Sequence, residues 1–126
     1  MTNQYRGEMC KELRASLDII SGKWKPSILF YLMNNGTMRF SELQSAMSEV
    51  TKKMLTSQLK ELEQDNIVHR EVYPEIPPKV EYSLTDYGQK LEPLLISLRS
   101  WGEEHIQNKE EQLDVTENLE NAVTKI

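Results

Sequence analysis

Cysteine, histidine and glycine are scarce in this chain of 126 residues: it has one cysteine, two histidines and five glycines. The lone Cys10 cannot close an internal disulfide, so no disulfide framework is expected and a reducing, cytoplasmic setting is. His69 and His105 stand alone, and no Cys/His cluster has metal-ligand spacing, so no metal site is expected. No glycine-rich loop that could cradle a phosphate appears, and no Ser/His/Asp set or carboxylate pair stands out. The chain therefore reads as a non-enzyme without a cofactor. It has no run of 18 apolar residues, which argues against a membrane span. Its first ten residues, MTNQYRGEMC, lack the apolar core of a secretory leader.

What remains suits one modest domain. The hydrophobic fraction is 38%, enough for a small core that leans on a partner surface. The net charge of -5 looks wrong for nucleic acid, but its distribution matters more than its sum. Residues 20–83 carry eight basic and eight acidic groups, whereas residues 84–126 carry four basic and nine acidic ones. The excess acid thus lies in the C-terminal third, and phosphate attraction depends on the field at the docking face.

Apolar spacing lays out the elements. Met9, Leu13, Leu17 and Ile20 predict a first amphipathic helix over residues 9–20, ended by Ser21-Gly22. Pro26 suits the first turn of a second helix striped by Ile28, Leu29, Leu32 and Met33, with Trp24 at its entry. A third helix is expected from Ser41 as N-cap, with Gln44 completing a capping box. After the turn at 48–50, Thr51 caps a fourth helix. There Leu55, Leu59 and Leu62 face the core with Met54 beside them, and Asn66 takes a left-handed stop. Two strands alternate at residues 68–73 and 79–84, joined by a tip with Pro74, Pro77 and Pro78. Thr85 is expected to cap a long last helix with a broad apolar face (Tyr87, Leu91, Leu94, Leu95, Leu98, Trp101) and a bend at Pro93. The acidic segment 107–126 is expected to be frayed helix or disordered, leaving residues 1–106 as the folded domain.

This is the pattern of a winged helix-turn-helix: mainly α with a small β-hairpin wing. The stretch from Thr51 to Lys60 holds Lys52, Lys53 and Lys60 and no acid. The N-terminal half of a recognition helix meets base edges, so Thr51, Lys52, Lys53, Thr56 and Ser57 are candidates for base and nearby phosphate contacts. Arg39, Lys60, Arg70 and Lys79 are candidates for the DNA backbone. For Arg70 and Lys79 a second reading stands, in which they pair across the two strands with Glu81 or Glu71. Leu13, Leu17, Leu94, Leu95, Leu98 and Trp101 are more apolar surface than a winged core can bury, which points to a dimer interface. Cys10 has two readings. It is a small hydrophobe, or a thiol poised by Lys11, Arg14 and a helix N-terminus for oxidant chemistry. A small molecule at the dimer seam near Trp24 or Trp101 is a further effector reading. The rival to DNA binding is a protein-interaction module that only displays helices.

Taken together, Lys23-Trp24, Arg39-Phe40, Met54-Leu55-Thr56, Leu59, Leu62, Pro78-Lys79-Val80, Tyr82, Leu84-Thr85, Gly88 and Trp101 resemble the HxlR-type winged helix-turn-helix regulators. The likeness covers residues 10 to about 106. It implies a homodimer through the first and last helices, a recognition helix over about 51–64 in the major groove and a wing over about 68–84 on the backbone. A palindromic operator would then be read by two helices about 34 Å apart or somewhat wider. The resemblance also implies an N-terminal cysteine that senses oxidants or electrophiles in some members. Two departures stand out: Asn66 occupies a usual glycine position, and no second cysteine exists for an intramolecular switch.

Overall fold

The computed structural model describes residues 6–124. It holds α1 (Arg6–Ile20), α2 (Lys25–Asn35), β1 (Met38–Arg39), α3 (Phe40–Ala46), α4 (Lys52–Gln64), β2 (Val68–Tyr73), β3 (Lys79–Leu84), α5 (Asp86–Gln89) and α6 (Glu92–Thr124). One compact unit runs up to Glu92, and α6 from Pro93 onward forms a second.

The core of the first unit is built from the helical stripes that the sequence lays down. Ile28, Leu29 and Leu32 from α2, Leu43 from α3, and Leu55, Leu59 and Leu62 from α4 are buried together with Ile67, Val68 and Tyr82. Spacing of three and four residues brings such side chains to one face of each helix, where apolar surface leaves water. Local chemistry sets the ends. Gly22 takes φ +94° beyond α1, and Gly36 takes φ +75° beyond α2. Asn66 takes φ +60° after α4, where the N–H of Ile67 donates to the carbonyl of Leu62 at 2.9 Å. Asn tolerates this left-handed position better than most residues.

Three features depart from expectation. First, a short strand precedes α3. The sheet is antiparallel in order β1-β3-β2, with Met38 opposite Tyr82 and Arg39 opposite Glu81. Arg39, held extended by that pairing, is therefore the N-cap, and Ser41 lies inside the helix rather than capping it. The Glu42 carboxylate, not Gln44, accepts the N–H of Arg39 at 3.0 Å. A guanidinium carries no acceptor, so this box has only its backward half.

Second, the last helix is broken rather than bent. Thr85 caps only the four-residue α5, the chain turns at Lys90-Leu91, and α6 begins at Glu92 with Pro93 in its first turn. Proline has no N–H to donate and clashes with the carbonyl four residues back, so a helix starts there more readily than it passes through.

Third, α6 is continuous through Thr124, where fraying or disorder was expected beyond residue 106. Its sequence is rich in good helix formers. Arg99 pairs with Glu103 at 3.2 Å, and the Thr116 hydroxyl donates to the Gln112 carbonyl at 2.9 Å.

The turn from α4 through β2 to α5 is tied at one point. The N–H of Thr85 donates to the Ile67 carbonyl at 3.0 Å, and the Thr85 hydroxyl donates to the Asn66 carbonyl at 2.7 Å. The same hydroxyl oxygen accepts the N–H of Gly88 at 2.8 Å. Gly88 then passes so close to Ile67 that a Cβ there would overlap the Ile67 carbonyl oxygen.

Candidate nucleic-acid interface

The second helix of the helix-turn-helix is α4. Thr51, extended at φ −75° and ψ 155°, starts it, and its Oγ1 accepts the N–H of Met54 at 3.1 Å. Thr51 thus has a structural task in setting where the helix begins. Ahead of it the N–H of Met47 donates to Leu43 at 2.9 Å and that of Val50 to Met47 at 3.0 Å, which closes the turn between α3 and α4.

With Leu55, Leu59 and Leu62 buried, the rest of α4 faces outward. Lys52, Lys53, Thr56, Ser57 and Lys60 are all exposed on it. The Thr56 hydroxyl donates back to the Lys52 carbonyl at 2.8 Å, so it keeps acceptor capacity but its hydrogen is engaged. Met54, expected beside the core, is 42% exposed. At about 100° per residue it lies a quarter-turn off the leucine line, and that spacing was the signal for its true position.

One acid of α4, next in sequence to Lys60, is neutralised from α2. Lys25, at the start of α2, places its Nζ 2.7 Å from Glu61. Its side chain is only 10% exposed, against 49% for Glu61. This pair was not read from the sequence, since 36 positions separate its members and only the packing of α2 on α4 joins them. Its effect is to tie α4 to α2 and to remove one negative charge from the flank of the lysine face.

The wing has a different character. Val68 pairs with Leu84, Arg70 with Tyr82, Val72 with Val80 and Tyr73 with Lys79. Lys79 is half-buried, lies 2.9 Å from Glu81 on its own strand, and sits 4.8 Å from the Tyr73 ring centre. This ion pair runs along one strand, not across the hairpin as the pairing reading expected. Arg70 is exposed beside Tyr82. His69 lies 2.8 Å from Glu71, and Ile76 stands fully exposed at the tip. Arg39, opposite Glu81 and at the start of α3, is exposed as well.

The residues expected at a dimer interface are all partly or largely exposed. Leu13 and Leu17 on α1 are each 54% exposed, and Leu94, Leu98 and Trp101 on α6 are exposed with Leu95 half-buried. Trp101 stacks on His105 with ring centres 4.9 Å apart. Cys10 is an exposed free thiol on α1. A shallow cleft beside Trp24 is lined also by Tyr31, Met47 and Glu49. Among the described residues no group of acidic, Cys and His side chains is placed to hold a metal ion, and no helix is long and apolar enough to cross a membrane.

Comparison with known proteins places this geometry. Residues 19–110 match the HxlR-like helix-turn-helix family. The chain is 56% identical over 88 residues to the HTH-type transcriptional regulator YybR of Bacillus subtilis, covering 70% of each protein. It is 44% identical over 114 residues to the regulator YdeP of the same organism, covering 90% of this chain and 85% of YdeP. The structure of the redox regulator HypR in its reduced form superposes with a TM-score of 0.75 at 45% identity, covering 79% of this chain and 98% of that one. The winged helix-turn-helix built here from capped helices and a small sheet therefore belongs to a transcriptional regulator, and the chain is a member of the HxlR-like helix-turn-helix family.

Proposed function

We propose that this regulator acts as a homodimer that reads a palindromic operator, one α4 in each of two major-groove half-sites. The observation that carries this reading is the exposed face of α4, where Lys52, Lys53, Ser57 and Lys60 line the helix from an N-terminus fixed by Thr51. Cations near a helix end that enters the groove supply phosphate attraction, and their neighbours reach base edges. Arg39 and Arg70 flank this face as backbone contacts, with Lys79 contributing less because Glu81 already holds it. The apolar faces of α1 and α6 supply the two-fold contact.

Cys10 is the control point in this reading. Its exposure on α1 leaves the thiol accessible, and the relative HypR is a redox regulator. With one cysteine per chain, oxidation can join two subunits, form a mixed disulfide with a small thiol, or modify the sulfur directly. Selection of bound fragments from a random DNA pool, followed by titration at two salt concentrations, tests the operator assignment. Enrichment of a two-fold motif is the expected result, and uniform recovery of unrelated fragments speaks against it.

A further inference from the structure

We propose that Met54 is a specificity-determining residue that contacts the 5-methyl group of a thymine in the major groove, an inference that rests on α4 being the groove-entering helix. The other apolar residues of α4 are shut in the core: Leu55, Leu59 and Leu62 are essentially inaccessible. Met54 alone among them is left 42% exposed. A single exposed apolar side chain is ordinary on a protein surface. The place of this one is not ordinary. It stands in the first turn of α4, the part of a recognition helix that meets base edges. Its backbone is fixed there, because its own N–H is the group that Thr51 Oγ1 accepts at 3.1 Å.

Around the helix, Met54, Ser57 and Lys53 follow one another across the outward arc, since residues separated by three or four positions are neighbours on a helix. Lys53 and Ser57 carry polar atoms suited to phosphate or base acceptors, and Met54 carries none that could compete. The major groove offers one apolar feature to such a side chain, the thymine methyl group. An unbranched, polarisable thioether adapts its shape to that contact at little cost in packing.

The experiment uses the full-length protein and the operator recovered by selection. Each thymine is replaced singly by deoxyuridine, which removes the methyl group and leaves the pairing and hydrogen-bonding edge intact. Affinity is read by fluorescence anisotropy for the wild type and for Met54→Ala and Met54→Leu. One symmetry-related thymine position is expected to weaken wild-type binding about fourfold when its methyl group is removed, the worth of one buried carbon. Met54→Ala is expected to lose that sensitivity, while Met54→Leu keeps most of it. Thermal melting confirms that the variants fold. The inference is overturned if the wild type ignores every deoxyuridine replacement, or if Met54→Ala suffers the same penalty as the wild type. A protein that binds no DNA selectively at any salt fails an earlier test, the operator reading itself, and takes this inference with it.

Discussion

The ammonium of Lys25 lies 2.7 Å from the carboxylate of Glu61, and the lysine is buried while the glutamate is half in water. The two ends of this pair therefore carry unequal risk. Removing the carboxylate strands a cation with little water to solvate it, whereas removing the cation leaves a carboxylate that water still reaches. Glu61→Ala is expected to cost about 1–3 kcal/mol of stability, reduced to the extent that the lysine stem can snorkel outward. Lys25→Met combined with Glu61→Ala should recover part of that loss. Urea denaturation of the single and double variants measures both, and a double variant no more stable than Glu61→Ala would argue that the pair is incidental.

The lysine face of α4 makes a salt-dependent prediction. Lys52→Ala with Lys53→Ala should weaken operator binding at least about tenfold and flatten the dependence of log affinity on log salt by up to about 2. Lys79→Ala is the contrast, since its partner Glu81 already engages the ammonium. Its effect on affinity should stay under about threefold. Comparable losses from both variants would give Lys79 of the wing as large a phosphate contribution as the two α4 lysines together.

Gly88 offers a test of sign. A helical glycine replaced by alanine in open surroundings gains up to about 1 kcal/mol of helix propensity. Here the new Cβ meets the Ile67 carbonyl, a backbone group held by Thr85. Gly88→Ala should therefore destabilise by about 2 kcal/mol or more, read as a lower midpoint in denaturant. Gly102, with nothing near its would-be Cβ, serves as the control and should show no such loss.

Oxidant response should depend on one sulfur. Treatment with diamide or a quinone is expected to change operator binding by the wild type and leave Cys10→Ser unaffected in a gel-shift comparison. Non-reducing electrophoresis then distinguishes a joined dimer from a mixed disulfide. Identical behaviour of the two proteins would remove Cys10 from the regulatory reading.

Much of this fold was legible because its information is local. Three-and-four spacing of leucines marked α4, Thr51 marked its start, and Asn66 its stop, all within a few residues of where they act. Strands β2 and β3 showed in a period of two and in the proline-rich tip. What was missed lay at junctions. Ser41 looked like a cap because serine is a good one, but β1 holds Arg39 extended and moves the start of α3 two residues earlier. Pro93 looked like a bend in one helix and is instead part of a new helix's first turn. Thr85 was read correctly as a cap, though of a single turn.

At the site the division is similar. The sequence by itself determined which residues α4 turns outward, because burying Leu55, Leu59 and Leu62 leaves Lys52, Lys53, Ser57 and Lys60 no other side. Only the tertiary structure decided that Lys25 reaches Glu61 and that Lys79 is held by Glu81 and Tyr73. These depend on how α2 packs on α4 and how the hairpin closes. Helical period is a property of neighbouring residues, whereas an ion pair across 36 positions exists only once the chain between them has folded.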